Sequence, residues 1–348
     1  MRSPLAMTVL NHRPLLVLAA LAASLICAAL IVLLRPLLQR YALARPNARS
    51  SHVVPTPQGA GIAVIAATLV VACVYALAAG EPIPLMLFGA TVFIAATGFL
   101  DDVRTIPVLP RLLLQAAAVA VVVFSAPADL RIVPAIPLAL ERAGLLFAGL
   151  WFVNLVNFMD GLDLMTAAEV VPTTAAIVLI SWLGGLPLAP TLTAATLFGA
   201  MLGFAPFNRP VARVFLGDVG SLPIGLLLGW CLLALAWHQH IAAALLLPLY
   251  YLADATLTLL RRIARREPFW AAHRTHFYQR ATDNGLTVPA VVTEVFVLNV
   301  ALAALALASV WLNSGIADIV LLATGALAVA LLLYRFSQQK VSQASRRA

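Results

Sequence analysis

The chain has 348 residues, of which 63% are hydrophobic and only 10% are charged, and its mean hydropathy is +0.99. Soluble globular domains are less apolar, so this composition excludes that class and indicates a polytopic membrane protein. The net charge of +8 does not indicate a nucleic-acid-binding protein. The basic residues lie in short loops between apolar segments and form no stripe with exposed aromatic residues.

Membrane spans are predicted from apolar segments of roughly 20 residues, and this rule finds eleven, with ten as the alternative because several segments are short or run together. The first segment is interpreted as a retained span, since no small-residue cleavage site follows it. The three cysteines lie within apolar segments and are interpreted as small buried hydrophobes. The predicted spans are 14–34, 60–79, 84–100, 110–126, 143–159, 165–184, 188–206, 220–238, 241–260, 287–311 and 316–335.

The loops between these spans alternate sides, and their basic residues predict the orientation. With the N-terminus outside, the inner segments hold 18 Lys and Arg residues and the outer segments hold 4. This asymmetry predicts an outside N-terminus and a cytoplasmic C-terminus, in an all-α transmembrane bundle that forms one domain over residues 1–348. The predicted cytoplasmic loops lie near 35–59, 101–111, 158–165, 207–219 and 261–286.

All polar motifs fall on the cytoplasmic face in this topology. A transporter should instead place polar groups along a path through the bilayer, commonly on broken helices near the midplane. An enzyme that joins a cytosolic substrate to a lipid substrate should place them at one face. The distribution therefore favours the enzyme, with a membrane transporter kept as an alternative.

The most polar stretch closes an apolar segment and reads Asn154-Leu-Val-Asn157-Phe-Met-Asp160-Gly161-Leu-Asp163. A charge at mid-bilayer depth costs on the order of 3 kcal/mol on insertion scales, so such groups usually face a partner, a cavity or water. Residues three apart share a broad face of a helix, and Gly161 predicts the helix end. One Asn alone could bind a neighbouring helix, but the four groups together predict the floor of a site at the membrane surface.

Two further acidic motifs lie on the same predicted face. Asp101 and Asp102 end an apolar helix, where their repulsion and the helix dipole favour a bound cation, although a solvated helix end is the alternative. The stretch Phe215-Leu-Gly-Asp218-Val-Gly-Ser221 opens the eighth span. It predicts free backbone N–H groups for a phosphate and a carboxylate for magnesium, with a simple N-cap as the alternative.

The most basic cytoplasmic loop contains His273-Arg-Thr-His276-Phe-Tyr-Gln-Arg280. The two His could bind a metal, but no third ligand is near and the arginines favour an anion; a general basic patch at the membrane surface is the alternative. Residues 49–61, rich in Pro and Gly, predict a shaped loop before the second span, or a plain connector.

Three acidic residues lie within predicted spans. Asp254 could line the cavity, but it is interpreted as a partner of a neighbouring helix. Glu169 and Glu294 are expected to pair between helices.

Together, these loops resemble the polyprenyl-phosphate N-acetylhexosamine-1-phosphate transferase family, the MraY/WecA-like membrane transferases. Within it, the set is most similar to the bacterial branch that acts in O-antigen or surface-polysaccharide synthesis. The resemblance covers about residues 45–285. The family's aspartate pair matches Asp101 and Asp102, its Asn-x-x-Asn-x-x-Asp-Gly-x-Asp stretch matches 154–163, its Gly-Asp motif matches 217–218, and its histidine loop matches 273–276.

The resemblance implies an enzyme of the bacterial inner membrane that transfers an N-acetylhexosamine 1-phosphate from a UDP-sugar to undecaprenyl phosphate, or another polyprenyl phosphate, and releases UMP. It implies Mg²⁺ as the cofactor, with Mn²⁺ as the alternative. The implied partners are the two substrates, membrane lipid and a second copy in a homodimer, with no nucleic acid.

The resemblance also implies roles for individual residues. The catalytic residues would be Asp101, Asp102 and Asp218. The metal ligands would be Asp218, Asp102 and Asn157. The substrate-binding residues would be Thr56, Asn154, Asn157, Asp160, Asp163, His273, Arg274, His276 and Arg280.

The sequence departs from the family pattern at three places, and these departures leave the identity of the transferred sugar undetermined. Gln58-Gly-Ala-Gly61 stands where a basic residue and a glycine run are frequent, and Leu164 stands where Gly often follows the second acid. The histidine loop lacks the consecutive histidines of enzymes that make the first peptidoglycan lipid. An intramembrane aspartyl protease, whose motif is Gly-x-Gly-Asp, is a further alternative, disfavoured because Phe215 stands at the first Gly.

Overall fold

The computed structural model describes residues 12–44, 55–183, 186–268 and 273–338, and over these residues the protein is an all-α bundle, as the sequence predicts. The helices are α1 (Arg13–Tyr41), α2 (Gly61–Ala79), α3 (Leu85–Val103), α4 (Val108–Ser125), α5 (Leu138–Met159), α6 (Met165–Trp182), α7 (Leu188–Phe204), α8 (Asp218–Trp237), α9 (Ile241–Leu246), α10 (Leu249–Ala264), α11 (Phe277–Asp283), α12 (Val288–Leu312) and α13 (Gly315–Ser337). Ten of these described helices, all except α9, α10 and α11, are long and apolar enough to cross a membrane.

The predicted ninth span, 241–260, is not one continuous helix. It is broken into α9 and α10 at Leu247-Pro248, because proline has no backbone N–H to continue the helical ladder. The predicted ninth span is therefore a pair of shorter helices, and the long described helices number ten, which is the alternative count.

The broken segment nevertheless returns the chain to the end of the bundle from which α8 starts. The hydroxyl of Tyr278, which follows α10, donates to the backbone oxygen of Phe158 at the end of α5, at 3.0 Å. The side-chain amide of Asn284 donates to the backbone oxygen of Phe336 at 2.8 Å, so the end of α13 lies there as well. We call this the loop-rich end.

The start of α1 lies at the opposite end. There, Arg13 donates to the backbone oxygen of Trp182, the last residue of α6, at 3.2 Å. The first and last described helices thus begin and end on opposite sides of the bundle, which is the geometry that an odd number of crossings requires.

A short hairpin is the part of the fold that the helical pattern did not predict. Strands β1 (Leu43–Ala44) and β2 (Thr56–Pro57) pair in antiparallel fashion after α1. Next to them, the backbone N–H of Phe215 donates to the oxygen of Pro57 at 2.7 Å. The hairpin therefore anchors the described part of the first loop against the start of α8; residues 45–54 of that predicted loop lie outside the described residues.

The centre of the bundle consists of α6, α7 and α8, whose most apolar windows are 72%, 78% and 83% buried, against 17% for α13. Helix α7 packs closely on α1 through two glycines. A Cβ atom added at Gly199 would lie 1.9 Å from the backbone oxygen of Ala20, and one at Gly203 would lie 2.3 Å from that of Ser24. Small residues allow this approach, which is typical of helix packing in membranes.

Two acidic residues in the spans pair between helices, as predicted. Glu169 on α6 accepts a hydrogen bond from the side chain of Asn299 on α12 at 2.7 Å, with both side chains buried. Glu294 on α12 forms an ion pair with Arg335 on α13 at 2.7 Å. These contacts lower the cost of placing polar groups within an apolar bundle, although one oxygen each of Glu169 and Asn299 remains buried without a hydrogen-bond partner.

The start of α8 is held by contacts between backbones. A Cβ atom at Gly61 on α2 would lie 2.2 Å from the Cα of Gly220, and one at Gly98 on α3 would lie 2.3 Å from the backbone oxygen of Asp218. Neither glycine can gain a side chain unless α8 shifts.

We expect Gly98→Ala to lower the melting temperature of the purified protein in detergent, because overpacking of a tight contact costs about 1–3 kcal/mol. Gly89→Ala is the matched control on the same helix, where an added Cβ meets nothing within 4 Å. It should be neutral or stabilising, by up to about 1 kcal/mol. Equal melting temperatures for the two variants would contradict this account of the packing.

Candidate active site

A polar cavity of about 390 Å³ opens at the loop-rich end of the bundle. Four of the residues predicted from the sequence line it, namely Asn157, Asp160, Asp163 and Asp218. The other lining residues are Ala44, Gln58, Gly161, Leu162, Asn208, Pro210, Val211, Phe215, Leu216, Gly217, Gln279 and Val288. The cavity thus brings together the end of α5, the turn between α5 and α6, and the starts of α8, α11 and α12.

Asp218, the first residue of α8, has a carboxylate oxygen that is not used by the protein. Its Oδ1 atom accepts a hydrogen bond from the Asn157 amide at 2.8 Å, and the same amide donates to the hydroxyl of Ser221 at 2.9 Å. Within the described residues, the Oδ2 atom of Asp218 accepts no hydrogen bond. One carboxylate and one nearby amide therefore face the cavity together.

Asp102 caps the N-terminus of α8 from the neighbouring helix α3. Its carboxylate accepts the backbone N–H groups of Asp218 and Val219, both at 3.0 Å, and the side-chain amide of Gln58 at 2.5 Å. A carboxylate at a helix N-terminus is favoured by the helix dipole, and each hydrogen bond to a charged group contributes roughly 1.5–3 kcal/mol. Asp102 thus fixes the position of Asp218.

This cap corrects one expectation from the sequence. The N-terminus of α8 was expected to offer free N–H groups to a phosphate, but the first two are bonded to Asp102. The next two, those of Gly220 and Ser221, donate to the oxygen of Gly217 at 3.0 Å. The glycine-rich start of α8 is therefore closed by protein groups.

Asp101 lies beside the cavity and is not one of its lining residues. It forms an ion pair with Arg111 at 2.7 Å and accepts the backbone N–H of Ile106 at 2.6 Å. Its carboxylate closes the turn between α3 and α4. A contact between Asp101 and an acceptor phosphate stays a prediction.

Asp160 follows the last residue of α5, and its carboxyl group has a raised pKa. Burial, together with the negative charges of Asp218, Asp102 and Asp163, raises the pKa of its carboxyl to about 7, although a hydrogen bond from the Thr166 hydroxyl acts in the opposite direction. Like charges gathered in a buried place favour a cation. Among the described residues, however, no three His, Cys, Asp or Glu side chains form a metal site by themselves.

The loop after Asp160 is tied to the loop before α8. Asp163 accepts the backbone N–H of Ala212 at 3.0 Å. Asn208 accepts the N–H of Leu164 at 2.7 Å and donates to the oxygen of Val214 at 2.9 Å. Leu164 has a φ of +64°, a conformation that favours glycine, which gives a physical reason for the frequent Gly at this position in the family pattern.

Two predicted substrate-binding residues serve the framework in this structure. Asn154 is buried and donates to the side chain of Gln115 and to the oxygen of Leu150, both at 2.8 Å, which joins α4 to α5. Thr56 is buried in β2 opposite Ala44. Neither residue lines the cavity, so their contact with a substrate stays a prediction.

The histidine loop is organised by Asp254, which bonds this loop as well as its own helix. Its carboxylate accepts the backbone N–H groups of Phe277 and Tyr278 at 3.0 and 3.1 Å and contacts His276 Nδ1 at 3.1 Å. The ring of His273 stacks on that of His276 at 5.0 Å. The start of α11 is therefore fixed by a buried carboxylate on α10.

The charges of this loop differ from what the sequence suggested. Burial, together with the charges of His276, Arg262 and Arg261, lowers the pKa of His273 to about 4, so the imidazole is neutral at pH 7. Arg274 is paired with Asp283 at 3.2 Å. Arg280 is half-buried on α11. Neutral His273 can donate a hydrogen bond to a phosphate but adds no positive charge.

Three residues at the cavity were not selected from the sequence. Gln58 and Asn208 lie in motifs whose Pro and Gly residues indicate a shaped loop, but such a pattern does not say which side chain points inwards. Gln279 follows the histidine loop by three residues and reaches the cavity because α11 turns it there. All three are uncharged amides, so a search of the sequence for acidic and basic residues does not select them.

Comparison with known proteins gives matches over most of the chain. Residues 84–236 match the model described as glycosyl transferase family 4. A probable undecaprenyl-phosphate N-acetylglucosaminyl 1-phosphate transferase of Bacillus subtilis is 24% identical over 323 residues, which are 87% of this chain and 89% of that protein.

Two further relatives cover less. A decaprenyl-phosphate N-acetylglucosaminephosphotransferase of Mycobacterium leprae is 29% identical over 70% of this chain and 71% of its own length. A phospho-N-acetylmuramoyl-pentapeptide-transferase of Streptococcus thermophilus is 34% identical over 36% of this chain and 41% of its own length.

The matched segment 84–236 contains Asp102, Asn157, Asp160, Asp163 and Asp218, the acidic and amide groups at the cavity and at the start of α8. The segment that is similar to this family therefore contains these residues of the candidate site. The chain is thus similar to glycosyl transferase family 4 over residues 84–236, and it is similar over most of its length to enzymes named as undecaprenyl- and decaprenyl-phosphate N-acetylglucosamine-phosphate transferases.

Proposed function

We propose that the protein transfers an N-acetylhexosamine 1-phosphate from a UDP-sugar to undecaprenyl phosphate, or another polyprenyl phosphate, with release of UMP. The observation that carries the proposal is the polar cavity at one end of an apolar bundle, lined by Asp218, Asn157, Asp160 and Asp163. A water-soluble diphosphate can enter from this end while a lipid approaches from the side. The same one-ended arrangement disfavours a transporter.

The residues at the cavity fit a magnesium ion. Asp218 has a carboxylate oxygen without a protein partner, and the carbonyl oxygen of the Asn157 amide is near it. Mg²⁺ is usually bound by one or two carboxylates together with waters and substrate phosphates, so a complete cage of protein ligands is not required. Asp102 is the less available carboxylate, because both of its oxygens accept hydrogen bonds from protein N–H groups.

When bound, Mg²⁺ would neutralise charge on the diphosphate. The residues of the chain would act by position: Asp102 holds the start of α8, Asp218 and Asn157 face the diphosphate, and Asp160 and Asp163 shape the nucleotide-sugar side. The acceptor phosphate is already largely dianionic near pH 7, since its second pKa is about 6. Electrostatic stabilisation and alignment should therefore contribute more than proton removal.

A second, apolar cavity supports a lipid substrate. It measures about 250 Å³ and lies between α4, α5, α8 and the α9–α10 break. Gly149, Gly225 and Gly229 leave room in its wall, and Trp151 and Phe152 form part of its lining. Helix α5 connects this cavity to the polar one, because Asn157 lies on the same helix less than two turns from Phe152. An isoprenoid chain would suit such a surface.

We further propose that the polar cavity faces the cytoplasm of a bacterial inner membrane and that the product initiates O-antigen or another surface polysaccharide. The excess of basic residues at the loop-rich end supports the orientation. The absence of consecutive histidines in the loop at 273–276 supports a role outside the first peptidoglycan lipid.

We expect Asp218→Asn to lower transfer of radiolabelled sugar phosphate from UDP-N-acetylglucosamine to lipid in membranes by at least about 100-fold, because the free carboxylate oxygen would be lost. Asp129→Asn is the matched control, an exposed acid at the opposite end of the bundle, and should be as active as wild type. Near-normal transfer by Asp218→Asn that needs no magnesium would refute the assignment.

Because the pKa of Asp160 is raised, we expect the free energy of unfolding of the protein to depend on pH. Its pKa is about 7 in the folded protein against an ordinary value of 3.8, so the folded state binds one more proton between these values and its stability falls as the pH rises through the window. Asp160→Asn should therefore melt higher than wild type at pH 8 without magnesium, and the difference should shrink at pH 5. Thermal unfolding at both pH values measures this, and a constant difference would contradict it.

Orientation can be tested by cysteine labelling in a Cys73→Ala background, since Cys27 and Cys231 are fully buried. A cysteine at Asp129 should react with a membrane-impermeant maleimide in spheroplasts. A cysteine at Arg209 should react only after permeabilisation. The reverse pattern would overturn the proposed orientation.

A further inference from the structure

Two arginines at the histidine loop carry charges that no acidic side chain of the described residues neutralises. Arg262 is paired with Glu267 at 2.8 Å, and Arg274 is paired with an acid as described above. Arg261, near the end of α10, and Arg280, on α11, form no ion pair within the described residues. These two positive charges are therefore available to an anion.

The charges of Arg261 and Arg280 lie close enough to act on each other. Burial and, after it, the charges of Arg280 and Arg265 lower the pKa of Arg261. The acids Asp254 and Glu267 act in the opposite direction, but more weakly. Arginine stays charged at any physiological pH, so it cannot relieve this repulsion by losing a proton. A bound anion would relieve it.

Both arginines lie on ordered elements. Arg261 donates to the backbone oxygen of Thr275 at 2.7 Å and lies over the ring of Phe277, 5.0 Å from its centroid. Arg280 is half-buried on α11, and its guanidinium makes no hydrogen bond within the described residues. One guanidinium is thus held in place by the histidine loop, and the other keeps its donors for a ligand.

A row of rings connects this position with the apolar cavity. Trp151 lines the apolar cavity, and its ring lies 6.4 Å from that of Phe158, which is 38% exposed. The ring of Phe158 lies 6.4 Å from that of His276, on which His273 stacks. His273 is near enough to Arg261 for the charge of that arginine to act on its imidazole. The row therefore leads from the apolar cavity to the two arginines.

The exposed side of α10 before its arginines is apolar. Leu257, Leu260 and Ile263 are three residues apart, share one face of the helix, and are 47%, 54% and 47% exposed. Neither Arg261 nor Arg280 is among the residues that line the polar cavity. The surroundings of the two arginines thus suit an amphiphile that has an anionic head and a long apolar chain.

We propose that Arg261 and Arg280 bind the phosphate of the polyprenyl phosphate acceptor, and that Trp151 and Phe158 contact its isoprenoid chain between this phosphate and the apolar cavity. The inference rests on the proposed function and extends it to a binding site for the acceptor. Guanidinium groups form charge-assisted hydrogen bonds with phosphate, which are roughly twice as strong as neutral ones. Because neither arginine lines the polar cavity, this site holds the acceptor before its phosphate moves to the diphosphate.

The first test is Arg280→Gln, which removes the charge of a guanidinium that has no partner in the described chain. In transfer by the purified full-length protein, the KM for undecaprenyl phosphate should rise about tenfold, whereas kcat and the KM for UDP-N-acetylglucosamine should change by less than about twofold. Arg261→Gln should act in the same direction. The melting temperature of Arg280→Gln without ligand should equal that of wild type, because no protein contact is lost.

Arg209→Gln is the matched control, since it removes one exposed arginine at the same end of the bundle and should leave both KM values unchanged. A raised KM for UDP-N-acetylglucosamine in Arg280→Gln, with an unchanged KM for undecaprenyl phosphate, would assign this arginine to the nucleotide sugar and overturn the inference. Unchanged constants in both Arg280→Gln and Arg261→Gln would overturn it as well.

Binding without transfer is measured by the melting temperature in detergent with three lipids, namely undecaprenyl phosphate, undecaprenol and phosphatidylglycerol. Undecaprenyl phosphate should stabilise wild type most. Undecaprenol has the same chain without the phosphate and should stabilise it less, and Arg280→Gln should reduce the first effect to the level of the second. Equal stabilisation by phosphatidylglycerol, lost to the same extent in Arg280→Gln, would indicate a general site for anionic lipids and contradict the inference.

The proposed function can fail separately from this site. If wild type makes no lipid product with any UDP-sugar, the transferase proposal fails, and the melting temperatures still decide whether the arginines bind a polyprenyl phosphate. If wild type is active and Arg280→Gln keeps the KM of wild type for undecaprenyl phosphate, only the acceptor site is refuted.

Discussion

The site depends on one electrostatic contact, the carboxylate of Asp102 on the N-terminus of α8. It places a negative group where the helix dipole favours one and satisfies two N–H groups that would otherwise be unpaired in an apolar bundle. Because Asp218 is the first residue of α8, the same contact fixes the direction in which its side chain leaves the helix. The buried carboxylate of Asp102, which holds the backbone of α8, thus determines where the carboxylate of Asp218 meets the cavity.

The two ends of the bundle differ in what their loops do. At the opposite end, Arg142 closes a loop by donating to the backbone oxygens of Val123 and Pro127 at 2.7 Å. At the loop-rich end, several acids lie close together around a cavity. Asp160 has a raised pKa there because of burial and the neighbouring acids Asp218, Asp102 and Asp163. A cluster of like charges around an open cavity, which the opposite end lacks among the described residues, is what distinguishes the candidate site.

Most of the spans and several residues of the cavity could be predicted from the sequence. Length and hydropathy determine where spans lie, and acidic residues are costly in an apolar chain, so they indicate the site. The ten unbroken spans and the lining residues Asn157, Asp160, Asp163 and Asp218 follow from those two rules. The break at Pro248 could not be separated from a tolerated proline, since prolines also occur within α6 and α8. The cap by Asp102 joins residues more than one hundred positions apart, and no local pattern reports such a distance.

The glycine contacts beneath α8 have a consequence for how this fold can change. Where Gly61 meets Gly220 and Gly98 meets Asp218, backbone lies directly on backbone, and no side chain can be exchanged to widen or tilt the floor of the cavity. The turn after α5 and the start of α11 also line the cavity, and they do so through side chains such as Asp163 and Gln279. The fold thus combines a floor made of closely packed backbone with lining positions that can be altered one residue at a time.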